Sequence, residues 1–243
     1  MGSEITVTGP KALFQIGPVI ITNTMVTSWV IMAIIACVCI YLTRNLKVKP
    51  DSKRQIIAEK IVLMVYELID GTMGKKWRHF APYIAGLFAY SFFCSMSSLV
   101  GVKAPTGDLS IIIGMATITF IMIQVVNIKY KGFVGSLKRF AEPVPLILPL
   151  NLISEVATPV SMTFRHFGNI AAGGVITTLL YAALAGLSSV VLKIIPVAFI
   201  QSIPIFQVGL PALLSIYFDV FTSFLQAYIF CMLTMVYVSG AAE

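Results

Sequence analysis

Five long apolar runs limit what this 243-residue chain can become. They span Val19 to Leu42, Phe80 to Val100, Leu109 to Ile128, about Leu150 to Leu187, and about Leu210 to Val238. Each is near or beyond the ~20 residues a helix needs to cross a hydrocarbon core. In lipid every backbone polar group must find a partner within its own segment, so such runs become helices. Hydrophobic residues make up 58% of the chain and charged residues 11%, against about 25% charged in a soluble domain. The mean hydropathy is +0.94. The expected fold is an all-α integral membrane protein of about five transmembrane helices plus a cytoplasmic amphipathic helix. It forms a single membrane domain over residues 1–243.

The net charge of +7 does not point to nucleic acid, because the charges are segregated. Nine of the 17 basic residues lie between Arg44 and Arg78, and Lys129, Lys131, Lys138 and Arg139 share one later loop. That asymmetry is the positive-inside pattern. It puts the N-terminus outside and the C-terminus in the cytoplasm. Cys37, Cys39, Cys94 and Cys231 all sit in apolar runs and read as small hydrophobes. Neither the cysteines nor His79 and His166 have metal-ligand spacing, so no metal or cofactor is expected. The N-terminus lacks a basic region followed by an apolar one, so no cleaved signal peptide is expected.

Between the first two spans, Pro50-Asp51-Ser52 looks like a helix start. Ser52, Gln55, Glu59, Glu67 and Asp70 then fall on one stripe, which predicts an amphipathic helix over 51–71 at the cytoplasmic surface. Residues 80–128 form a two-span hairpin, with Lys103 to Asp108 as its turn-rich outer loop. Pro143, Pro145 and Pro149 interrupt the approach to the last pair. That pair, over 148–238, is expected to be a long tilted hairpin, because nearly 40 apolar residues would make roughly 55 Å of helix. Pro159 is expected to bend it. Leu187 to Phe206, with Lys193, Pro196 and Pro204, is its outer connection. No internal repeat is present.

Arg165 sits deep in this stretch. A guanidinium cannot shed its charge, and at the bilayer centre it costs about 2.5–3.5 kcal/mol on the insertion scale. Two acids flank it along the membrane normal. Glu155, ten residues earlier, is about 15 Å toward the cytoplasm, and Asp219 lies in the outer part of the final helix. Two polar points separated by a fixed cation suggest two offset half-channels rather than a leaking pore. Structural pairing of either acid is the plain alternative. Asn169 shares a face with Arg165, and Gln226 shares one with Asp219. Such amides hold a guanidinium or bond helix to helix. Gly168 with Ala172, and Asn169 with Gly173, are spaced to admit another helix closely. His166 titrates near neutral pH and could relay protons or simply pack.

The run Pro149-Leu-Asn-Leu-Ile-Ser-Glu155, then Pro159-Val-Ser, Phe164-Arg165, Phe167-Gly168-Asn169-Ile and Ala172-Gly173 resembles the central signature of subunit a of rotary F-type ATP synthases. Phe224-Leu225-Gln226-Ala227 through Thr234 and Val236-Tyr237 resembles that family's last helix. Pro105-Thr106-Gly107-Asp108-Leu109 looks like its Pro-Thr-x-Asp-Leu loop. The resemblance covers most of the chain from about Phe80. It implies a non-catalytic stator beside a ring of c subunits, held by peripheral-stalk b subunits. Half-channels would pass H+ or Na+ to and from ring carboxylates that meet Arg165. Arg165, Asp219, Glu155, Asn169, Gln226 and His166 are then the candidate ion-path residues, and Gly168, Ala172 and Gly173 the ring-facing ones. The expected setting is a bacterial plasma membrane, with lipid and the remaining ATP synthase subunits as partners. Members often carry Glu at the position of Gly174, His at that of Asp219 and Leu at that of His166. The outer carboxylate is therefore expected to have moved to Asp219. The alternative is a secondary cation transporter, which would usually show internal repeats. A structural scaffold would not need the flanked arginine.

Overall fold

A computed structural model describes residues 12–16, 19–48, 52–141, 145–192 and 210–242. Strands β1 (Ala12–Ile16) and β2 (Val19–Thr22) form a short antiparallel hairpin. Among the described residues six α-helices follow: α1 (Asn23–Thr43), α2 (Lys53–Thr72), α3 (Ala81–Met96), α4 (Leu109–Ala141), α5 (Leu148–Leu192) and α6 (Leu210–Gly240). The body is all-α. Five segments, all except α2, are long and apolar enough to cross a membrane.

The hairpin corrects the first expected span, since Val19 to Thr22 pair as a strand and the helix begins at Asn23. The Thr22 hydroxyl accepts from the Met25 amide and caps one of the unpaired N–H groups at the helix start. Ser52 caps α2 in the same way at the Gln55 amide. α2 ends at Gly74, whose φ of 88° suits a residue without Cβ, and whose amide, like that of Met73, bonds the Ile69 carbonyl. A 3-10 segment, Lys75–Phe80, then delivers the chain to α3.

α4 runs past its expected end at Ile128 to Ala141, with one break at Gly132 (φ 72°). α5 continues through Pro159 as one helix, with the proline inside it. At 1.5 Å per residue its 45 residues measure roughly 68 Å, more than twice a hydrocarbon core. Such a helix cannot stand upright in a bilayer. Leu187 to Leu192 remain in α5, so part of the expected outer connection is helix. Lys193, Pro196 and Pro204 lie outside the described residues, as do Pro143 and Lys11.

The core lies where α2, α3, α4 and α6 meet. Ile69, Met73, Trp77, Ile84, Met115, Phe230 and Met235 fill it. Trp77 is 1% exposed, with its ring 5.5 Å from that of Tyr130. α5 packs on both α4 and α6. α1 stands at the edge and buries only Thr24 and Ser28. Its Trp29, Ile34, Val38 and Ile40 are about half exposed or more, as suits a lipid-facing helix.

Candidate functional site

α5 presents one continuous exposed face. Val156, Val160, Phe164, Arg165, Gly168, Asn169, Ala172, Ile176 and Leu179 lie on it at helical spacing. Arg165 makes no hydrogen bond or ion pair with any described residue. Gly168 and Ala172 are exposed and Gly173 is half-buried. A Cβ added at Gly168, Gly173 or Gly174 would meet nothing within 4 Å. Among the described residues, a Cβ at those positions would therefore meet no packing neighbour.

Two cross-links fix the antiparallel register of α5 against α4. The Gln124 side-chain amide donates to Glu155 Oε1 at 2.7 Å, and a Cβ at Gly107 would sit 3.8 Å from Ile170. Glu155 thus lies at the Lys131 end of the bundle. There it lines a cleft of about 430 Å³ with Phe120, Lys131, Thr158, Tyr237 and Gly240. That space is large enough for several waters.

Asn169 Nδ2 donates to Gln226 Oε1 at 2.5 Å, which bridges α5 to α6. Asn169 lies one turn after Arg165 on α5, and its amide bonds Gln226. Asp219 is half-buried and lies seven residues from Gln226, about 10 Å further toward the Pro105–Asp108 end. By antiparallel register this puts it level with the Gly173–Ile176 turn of α5. Glu155 and Asp219 therefore lie on opposite sides of Arg165 along the hairpin, and neither is brought into contact with it.

His166 faces inward. It is fully buried, its ring stands edge-on to Phe230 at 5.8 Å and 88°, and neither nitrogen meets a protein partner among the described residues. An unpaired buried polar group costs about 1–3 kcal/mol.

Sequence reasoning missed two partners. Gln124 is one of two amides, with Asn127, in an apolar helix, and nothing in its spacing ties it to Glu155. Asp108 was read as part of a loop, yet it is buried. It accepts from the Thr24 hydroxyl at 2.7 Å and from the Ser110 amide at 3.1 Å. An aspartate directly before an apolar helical run is an N-cap signal, so it could have been found. Ser95 and Thr106 pair beside it at 3.0 Å, and Ser28 and Tyr90 at 2.6 Å. Among the described residues no cluster of three or more His, Cys, Asp or Glu could hold a metal ion.

The profile of the ATP synthase A chain family matches residues 25–239. ATP synthase subunit a 2 of Bradyrhizobium sp. is 36% identical, over 94% of this chain and 92% of its own length. ATP synthase subunit a of Moorella thermoacetica is 29% identical over 95% of both chains. The sodium-ion-specific ATP synthase subunit a of Propionigenium modestum is 32% identical, over 91% of this chain and 74% of its own. With five helices able to span a bilayer and a match over nearly its whole length, the chain belongs to the ATP synthase subunit a family, the ion-translocating component of the Fo membrane sector.

Proposed function

We propose that this chain carries ions to and from a rotating ring through two half-channels that meet at Arg165. The observation that carries the reading is the exposed Arg165, unpaired among the described residues, on a face where a Cβ added at Gly168, Gly173 or Gly174 would meet none of them. A cation kept in such a place fits a partner with an anionic group on another chain. A carboxyl in lipid stays neutral, because burial disfavours its charged form. When it reaches Arg165, the guanidinium favours the carboxylate and the ion leaves. The membrane potential drives the cycle with about 2.3 kcal/mol per charge per 100 mV.

The Glu155 cleft serves as the cytoplasmic half-channel, with Gln124 holding the carboxylate. Asp219, two turns beyond the Asn169–Gln226 bridge, serves the outer one and replaces the acid absent at Gly174. The whole chain acts as one membrane domain of a bacterial plasma membrane, N-terminus outside and C-terminus inside. α5 and α6 form its tilted, ring-facing hairpin, and α2 lies along the cytoplasmic surface. Its partners are the c-subunit ring, peripheral-stalk b subunits and lipid. It binds no nucleic acid or cofactor and leaves nucleotide chemistry to other subunits.

The test is a cross-link in the purified complex. Ala172→Cys should form a disulfide with a cysteine placed beside the ring carboxylate of a small hairpin subunit. A complex that assembles without that cross-link contradicts the ring-facing assignment. A pH-sensitive dye and a radioactive sodium tracer, read in the same vesicles, decide which ion is carried.

A further inference from the structure

Three described residues bury side-chain polar atoms with no protein partner: Ser91, Asn127 and His166. His166 leaves two such atoms unpaired, adjoins Arg165 in the chain, and lies three residues from Asn169, hence on the adjoining turn. A neutral imidazole offers one N–H donor and one bare nitrogen acceptor. Phe230, edge-on at 5.8 Å, supplies neither partner for them.

The buried acid on the element packed against this part of α5, Asp108, is already occupied by the Thr24 hydroxyl and the Ser110 amide. α4 from Leu109 to Ile128 carries no ionisable side chain. On α6 the neighbouring positions are Ala227, Phe230 and Gln226, the last bonded to Asn169. α3 offers Tyr83, Tyr90 and Cys94, and its two tyrosine hydroxyls pair with Thr119 and Ser28. Asp219 is about eleven residues of helix further along α6 than Phe230, some 16 Å away. Arg165 is the charge adjoining His166 in sequence. No described acid bonds either ring nitrogen to balance an imidazolium, so the neutral ring is the form that fits.

We propose that His166 anchors an internal water in the seam between α5 and α6, directly behind Arg165, and that this water joins the ring to the Asn169–Gln226 bridge. Buried water typically occupies a place where polar groups would otherwise go unpaired. His166 is then a positioning residue that keeps the inner end of the outer half-channel wet, and it carries no proton itself. The inference rests on the half-channel reading above.

The experiment uses the whole purified complex in proteoliposomes, with high-resolution density for the unsubstituted protein. A water peak is expected about 2.7–3.2 Å from an imidazole nitrogen. His166→Leu should lose the peak and slow ATP-driven ion uptake about tenfold. His166→Gln, which keeps a donor and an acceptor, should retain more than half the rate with an unshifted pH profile. Wild-type uptake in His166→Leu overturns the proposal, as does absence of the peak. If His166→Gln is as slow as His166→Leu and one limb of the pH profile disappears, the ring carries protons and the water-anchor role is wrong. Arg165→Ala separates the two readings. Persistent uptake in that variant defeats the half-channel reading, whereas a loss there with wild-type uptake in His166→Leu defeats only the water site.

Discussion

At the scale of single residues, the site depends on which side chains face out and which face in. Arg165 and His166 are neighbours in sequence, about 100° apart on a helix, and they land in opposite environments. Arg165 is exposed and His166 is buried. The same turn thus offers a cation outward and a hydrogen-bonding ring inward. Asp219→Asn keeps the size of the side chain and removes the charge. It should lower ion-driven ATP synthesis at least about tenfold, with the complex still assembled; a near-wild-type rate would show that the outer carboxylate is elsewhere. Gly168→Leu adds bulk at a position where a Cβ meets no described residue within 4 Å. It should leave thermal stability of the isolated subunit unchanged and strongly reduce synthesis. Loss of fold instead of synthesis would mean that the glycine serves internal packing.

At the scale of elements, the helices were legible because apolar runs of this length have no other stable form in lipid. Their ends were less so. Val19 to Thr22 is as apolar as the helix after it, and hydropathy alone cannot separate a strand residue from a helical one there. Thr22, as an N-cap, was the signal that did mark the boundary. Pro159 does not end the helix, and the Thr163 hydroxyl bonds the Pro159 carbonyl one turn on. Of the site, Arg165, Asn169 and Gln226 were readable from charge and face. The partner of Glu155 was not, because helix-to-helix register is set by packing between residues 31 apart in the chain.

The junction of α2 and α3 is held by Trp77 in the core and by the Arg78–Asp70 ion pair above it. Trp77→Ala should cost about 3–5 kcal/mol in detergent unfolding. The hydrogen bond from Arg78, with its charge, lowers the Asp70 carboxyl pKa below the ordinary value. A depressed folded-state pKa adds stability above the unfolded value, and that stability is lost as pH falls through the folded one. The Asp70→Asn variant should therefore match the unsubstituted protein in thermal stability at low pH, fall progressively below it as pH rises past the lowered folded-state pKa, and show the full gap above about 4. An equal gap at every pH would show that the pair contributes through packing rather than charge.

At the scale of the whole molecule, the arrangement is asymmetric. A compact core of α2, α3, α4 and α6 supports α5, whose outer face stays free over most of its length. One acid with a water-sized cleft sits toward the Lys131 end, and another sits toward the Pro105–Asp108 end. The arginine between them lies on the free face. This is the geometry expected of a stator that hands ions to a moving neighbour without a continuous path of its own. Arg165→Ala, in the assembled complex, tests it most directly through ATP-driven ion uptake into proteoliposomes. The account predicts that uptake falls to background while the complex still purifies intact, and uptake at the unsubstituted rate would contradict it.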